Sequence, residues 1–239
     1  RNPQFPSDRP REECGIFAVY GHEEAAKLAY FGLYALQHRG QESAGIVAID
    51  EHGNARAHRG MGLVSENFDD DGLSRLVGDV AVGHTRYSTA GSSVLVNAQP
   101  LLKDLRGVPL TISHNGNLTN APALRRELED QGSLFDTTTD TEVILHLIAR
   151  SRKTTLDEQI REAMEKCEGA FTVLINVGRT IYAVVDSRGF RPLVLGRLSG
   201  GVVISSETCA LDLVGAQMAC ELMPGQFLGR DAIAAQRAK

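Results

Sequence analysis

Apolar runs that end in polar clusters restrict the fold of this chain more than any other feature of its sequence. Val80 to Ser88 alternates into the polar end Thr85-Arg86-Tyr87-Ser88-Thr89, and Pro109 to Ser113 leads into His114-Asn115-Gly116-Asn117. Strands of this kind bury their apolar length in a sheet and deliver polar residues at their tips. A third short run, Ile16 to Tyr20, starts directly after Cys14-Gly15, so a thiol stands at the end of another buried strand. Together with Thr139-Asp140-Thr141-Glu142, these clusters suggest a nucleophile, an oxyanion site and a clamp for an amino acid.

The remaining elements follow from periodicity and punctuation. Ala25, Leu28, Ala29, Gly32, Leu33 and Leu36 recur at helical spacing within Glu23 to Gln37. Asn120 is placed to cap a helix over Ala121 to Gln131 that Gly132 ends, and Asp140 or Thr139 to cap Glu142 to Arg150. Thr155 with Glu158 forms a capping box for a helix running to Cys167, with Gly169 as its stop. Gly45 to Asp50, Ala170 to Val177, Thr180 to Asp186, Pro192 to Leu198 and Gly201 to Ser206 are strand-like, with a short helix over Ala210 to Gly215. Strands and helices in blocks, rather than in strict alternation, favour antiparallel sheets covered by helices. Residues 1–13, with Pro3, Pro6 and Pro10 among charges, read as an extended leader, and residues 14–239 as the globular part.

A formal net charge of -5, with 25 Lys and Arg scattered along the sequence, offers no field for a phosphate backbone, so nucleic acid is not an expected partner. No apolar run approaches the ~20 residues needed to span a bilayer, and the first stretch lacks the apolar core of a signal peptide. No membrane partner and a cytoplasmic location are therefore the expectation. Cys14, Cys167, Cys209 and Cys220 form no CxxC pair and read as reduced thiols. None of the histidines falls in a ligand spacing such as HxxxH, so no metal site is expected.

On its own, Cys14 fits a small buried core residue. Its position offers more. A thiol with pKa ~8.5 needs a base, and a free α-amine of pKa ~7.7–8.0 on the same residue supplies one if the Glu13-Cys14 bond is cut. Taken singly, Asn115-Gly116 fits a tight turn, Arg86 a surface salt-bridge partner and Asp140 a helix cap. Their order changes the reading. Cys14-Gly15-Ile16-Phe17, the Leu36-Gln37-His38-Arg39-Gly40-Gln41 segment, His84-Thr85-Arg86-Tyr87-Ser88-Thr89, Asn97-Ala98-Gln99-Pro100, His114-Asn115-Gly116-Asn117-Leu118 and Thr139-Asp140-Thr141-Glu142 occur in one series. The series resembles the class II glutamine amidotransferase family of N-terminal nucleophiles, in the form found in amidophosphoribosyltransferases, which make phosphoribosylamine at the entry to purine biosynthesis. The resemblance runs from Cys14 to about Gly225.

It implies a four-layer αββα fold of the α+β class, with two stacked, mainly antiparallel sheets and Cys14 opening a central strand. It also implies that, after leader removal, Cys14 attacks the side-chain amide of glutamine, releases ammonia and leaves a glutamyl thioester for water. The oxyanion would lie between the Asn115 side-chain amide and the Gly116 backbone N–H. Arg86 would hold the substrate α-carboxylate and Asp140 its α-ammonium, with Tyr87 and Thr89 in the pocket wall or closing loop, and Arg39 and His114 as supports. Ser187 stands where the family segment usually has proline, a change of turn rigidity more than of chemistry.

The family's phosphoribosyltransferase half is absent from this sequence, so the chain alone is not expected to make phosphoribosylamine. No cofactor is expected in it, because the cysteines that hold an iron–sulfur cluster in some relatives lie mostly in that half. The partners implied are glutamine and the missing transferase domain, with a homo-oligomer left open. Two rival readings stand beside this one: an acylase or amidase of the same fold acting on another amide, and a non-catalytic docking or regulatory domain.

Overall fold

The structure is a computed structural model that describes residues 14–87, 93–229 and 232–233. Strand β1 (Gly15–Tyr20) begins one residue after Cys14 and is followed by helix α1 (Ala25–Ala35), a 3-10 turn over Gln37–Arg39, β2 (Ser43–Ile49) and β3 (Ala55–Met61). Short helices α2 (Val64–Asn67) and α3 (Asp70–Ser74) precede β4 (Val80–Arg86), β5 (Leu101–Leu105) and the long β6 (Val108–Leu118). Three helices follow, α4 (Ala121–Asp130), α5 (Thr141–Arg150) and α6 (Leu156–Glu165). The chain continues through β7 (Gly169–Val177), β8 (Thr180–Val185), β9 (Val194–Leu198), β10 (Gly201–Ser205), α7 (Thr208–Val214), β11 (Gln217–Glu221) and β12 (Phe227–Leu228).

Among the described residues the strands form a 7-stranded sheet, ordered β11-β9-β10-β1-β4-β2-β3, and a 5-stranded sheet, ordered β12-β8-β7-β6-β5. Neighbours within both are antiparallel. Period-two alternation divides their side chains between three cores. Phe17 and Val19 of β1 pack with Leu33 of α1 and Leu211 of α7 on the outer face of the larger sheet. Ile16 and Ala18 point the other way and meet Leu174 of β7 and Ala183 of β8 between the sheets. Val173 and Ile175 of β7 pack with Ile144 of α5 and Ile160 of α6 on the outer face of the smaller sheet. Helix, sheet, sheet, helix is therefore the layer order, as the family resemblance implies. No helix of the described residues is long and apolar enough to cross a membrane.

Three local readings are corrected. Asn120 and Asp140 stand at the N-cap positions of α4 and α5, but neither side chain caps its helix. Asn120 instead donates to the Lys166 carbonyl and accepts from the Glu168 amide, which ties the start of α4 to the end of α6. Gly169 does not stop α6, which ends at Glu165; it opens β7, where a Cβ would lie 2.1 Å from the Asn117 carbonyl oxygen. His114-Asn115-Gly116-Asn117 is not a strand tip or a turn either, since β6 runs through it to Leu118, pairing Asn115 with Thr172 and Gly116 with Phe171. The capping box of α6 forms as read, with the Thr155 hydroxyl accepting from the Glu158 amide.

Candidate active site

Antiparallel register brings one end of β1, β4 and β2 together: Gly15 pairs with Thr85, and Ser43 with Arg86. A Cβ on Gly15 would lie 2.7 Å from Thr85 Oγ1 and 2.9 Å from Leu36 Cβ, so glycine lets the strand end sit flush beside its neighbour. Cys14, buried at this end, has a φ of 63°, a left-handed conformation that costs a non-glycine residue roughly 1–2 kcal/mol. Arg39 holds it there from both sides. The Cys14 amide donates to the Arg39 carbonyl (3.2 Å), and Arg39 Nε donates to the Cys14 carbonyl (2.7 Å). The buried Arg39 guanidinium in turn pairs with Glu207. The Cys14 thiol donates to the carbonyl of Tyr87 (3.6 Å), whose side chain is 42% exposed.

The second sheet reaches the same end through β6. His84 of β4, fully buried, donates from Nε2 to the His114 carbonyl at 3.1 Å and so stitches the two sheets together. Burial pushes its pKa down to about 3, against a smaller opposing effect of that hydrogen bond, so it is neutral and Nε2 carries the proton. Asn115, next along β6, is 0% exposed, and neither its Oδ1 nor its Nδ2 bonds any described residue. Gly116 has a φ of 140°, and a Cβ there would lie 2.0 Å from the Ala170 carbonyl oxygen. That position admits glycine because the β7 backbone occupies the space.

Asp140 is placed by the residues around it rather than by its helix. Its Oδ2 accepts from the Leu118 amide at 2.8 Å, and its Oδ1 lies 3.5 Å from His114 Nδ1 and 3.4 Å from Thr141 Oγ1. Burial raises its pKa, but the His114 charge and hydrogen bond, with the Leu118 and Thr141 amides, outweigh it and hold the carboxyl below the usual aspartate value. Gln99 braces the cluster, accepting from the His114 amide (2.8 Å) and donating to Thr141 Oγ1 (3.0 Å). Arg86 is not on the surface: it is buried, and its Nη1 donates to Glu42 Oε1 at 2.5 Å. Sequence alone gives no role to Glu42, Gln99 or His84, although Gln99 and His84 lie in the motif segments and Glu42 directly follows one. Thr89 lies outside the described residues.

Cys167 does not compete for the role. Burial, with the Asp140 charge second, pushes the Cys167 thiol up to about 12, and a thiol of that kind is inert at neutral pH. Cys167 lines a groove of about 630 Å³ together with Arg161, Asp186 and Phe227, which contains none of the residues predicted for the site.

Residues 84–213, more than half of the chain, match the family model described as a glutamine amidotransferase domain. The chain belongs to this family of glutamine amidotransferase domains. The relatives it is similar to are amidophosphoribosyltransferases: number 2, chloroplastic, of Arabidopsis thaliana is 50% identical over 92% of this chain and 40% of its own length. The Bacillus subtilis (strain 168) protein is 47% identical over 91% of this chain and 46% of its own. Among solved structures, the glutamine phosphoribosylpyrophosphate amidotransferase from B. subtilis complexed with ADP and GMP superposes with a TM-score of 0.85 at 45% identity, covering 90% of this chain and 47% of that one. A glutamine aminotransferase class-II domain protein from Silicibacter pomeroyi, at 14% identity and a TM-score of 0.54, shares the fold. The chain thus spans under half the length of the curated relatives named here.

Proposed function

We propose that this chain is the glutaminase part of an amidophosphoribosyltransferase of purine biosynthesis, and that it hydrolyses glutamine to glutamate and ammonia through a thioester on Cys14. The observation that carries the reading is Asn115: a fully buried carboxamide with no partner among the described residues, on the strand that His84 ties to the neighbour of β1. A buried polar group without a protein partner calls for an explanation, and a catalytic role is one. An oxyanion supplies the partner here, taking a hydrogen bond from Asn115 Nδ2 and from the Gly116 N–H.

The proposed sequence begins with loss of residues 1–13, which turns the Cys14 amide into an amine. Donation to the Arg39 carbonyl orients that amine and leaves its lone pair for the Cys14 thiol proton. Sγ then attacks the glutamine amide carbon, the proton passes to the departing nitrogen, and water hydrolyses the thioester. Asp140, held ionised, receives the substrate α-ammonium, and Arg86 receives the α-carboxylate by sharing its guanidinium with Glu42. A phosphoribosyltransferase domain, which the relatives' extra length accommodates, is the proposed consumer of the ammonia. No cofactor is assigned to the glutaminase chemistry. A cytoplasmic location is part of the proposal, although plant relatives are named chloroplastic.

Intact mass and kinetics test this reading. The expected result is a purified protein that has lost residues 1–13, releases ammonia from glutamine but not asparagine, and takes up one glutamine-like electrophile on Cys14. Full glutaminase turnover with the leader still attached overturns the mechanism, and turnover that survives Cys14→Ala overturns the nucleophile.

A further inference from the structure

His38, Glu207 and Cys209 meet at the surface, His38 from the turn after α1 and the other two from the start of α7. Their ligand-capable atoms all lie within 4.8 Å of one another. His38 Nε2 is 2.9 Å from Glu207 Oε2, and Cys209 Sγ is 3.4 Å from the same oxygen. His38 Nδ1 lies 3.0 Å from the Ala35 carbonyl, which can only accept, so Nδ1 donates there and Nε2 is the ring nitrogen turned toward the carboxylate. Backbone carbonyls fix metal-binding imidazoles in the same manner. Glu207 is oriented as well, because the buried Arg39 holds its other oxygen. Nitrogen, carboxylate oxygen and sulfur converging on one point, with His38 and Cys209 open to solvent as an entry path, match a cation of borderline softness.

We propose that His38 Nε2, Glu207 Oε2 and Cys209 Sγ form a binding site for a divalent ion of the zinc class, with three protein ligands and water in the fourth position. Binding replaces the Cys209 S–H bond with a sulfur–metal bond and the His38 Nε2–H bond with a nitrogen–metal bond, and both protons go to solvent; no electron is transferred. No metal site is expected from the sequence because no histidine falls in a ligand spacing such as HxxxH, and His38 and Glu207, 169 positions apart, meet only in the fold. The site touches the nucleophile through two groups, since Glu207 holds Arg39 and Arg39 Nε donates to the Cys14 carbonyl.

Cobalt(II) serves as the probe, titrated into the full chain carrying Cys14→Ala so that this thiol cannot contribute. One equivalent gives a thiolate-to-cobalt charge-transfer band in the near ultraviolet, which zinc(II) abolishes by competition. Cys209→Ser removes the band, Cys220→Ser keeps it, and His38→Ala weakens binding about 10-fold or more, the scale on which even an outer-shell partner acts. Circular dichroism confirms that each variant is folded. A band that survives Cys209→Ser, an affinity untouched by His38→Ala, or no band at millimolar cobalt in the folded Cys14→Ala protein overturns the site.

Discussion

Asn115→Ala separates function from stability. Asn115 is fully buried in β6, and both of its amide atoms are without a partner among the described residues. A buried polar group left unpaired costs about 1–3 kcal/mol, and the substitution removes two of them. Against this, the space vacated costs about 24 cal/mol per Å³, under about 1 kcal/mol for a single carboxamide. The balance favours the variant, so its melting temperature should hold or rise, at about 2–4 °C per kcal/mol for a chain of this size. Turnover moves in the opposite direction. An oxyanion donor contributes roughly 2.7–4 kcal/mol in the transition state, so kcat should fall about 10²–10³-fold with the KM for glutamine little changed. Ammonia release against glutamine concentration, run on the processed protein beside a calorimetric melt, reads both quantities. A variant that melts several degrees lower and keeps its turnover would make Asn115 a packing residue and refute the reasoning.

Two further substitutions probe the surroundings. Gly116→Ala places a Cβ 2.0 Å from the Ala170 carbonyl oxygen and 2.7 Å from Phe171 Cα, with φ at 140°; we expect a loss of about 1–3 kcal/mol or more, seen as a clear drop in melting temperature, and an unshifted melt would contradict the close approach of β6 and β7. His84, with a folded pKa of about 3 against 6.5 when unfolded, contributes stability that is complete above pH 6.5 and is lost as pH falls toward 3, because the unfolded chain takes up the proton first. Melts between pH 7 and pH 4 should therefore fall less steeply for His84→Gln than for the parent, by on the order of 1 kcal/mol per pH unit, and parallel slopes count against a neutral His84.

Much of this arrangement was legible in the sequence because burial is periodic. β1, α1, β7, β8 and β10 carry apolar patterns that survive into the three cores, but β1 is apolar on both faces, so only the structure shows which of them meets a helix. β3 escaped because it is an edge strand with a mostly exposed, polar surface, Ala55-Arg56-Ala57-His58-Arg59-Gly60-Met61. β11 lies at the opposite edge and carries equally little apolar signal. At the site, residue types were readable and partners were not. Arg86 pairs with Glu42, and His114 leans on Gln99 and Thr141, through contacts that the sheet register creates. Asp140 has a cap residue's identity, but the backbone amide it serves is that of Leu118 on another element, so a rule based on local spacing could not place it.

The first strand of the described residues occupies the middle of its sheet. β1 is flanked by β4 on one side and by β10, residues 201–205, on the other, and Arg39 beside Cys14 is anchored by Glu207. During synthesis β1 is therefore made well before β10, and its second edge stays uncovered until residues 201–205 have emerged, a loop closure of the kind that slows folding. The backbone around Cys14 acquires its geometry only after Glu207 has been added. Synthesis order itself thus delays the sulfur's final setting until the distant strand and carboxylate that fix it have been made.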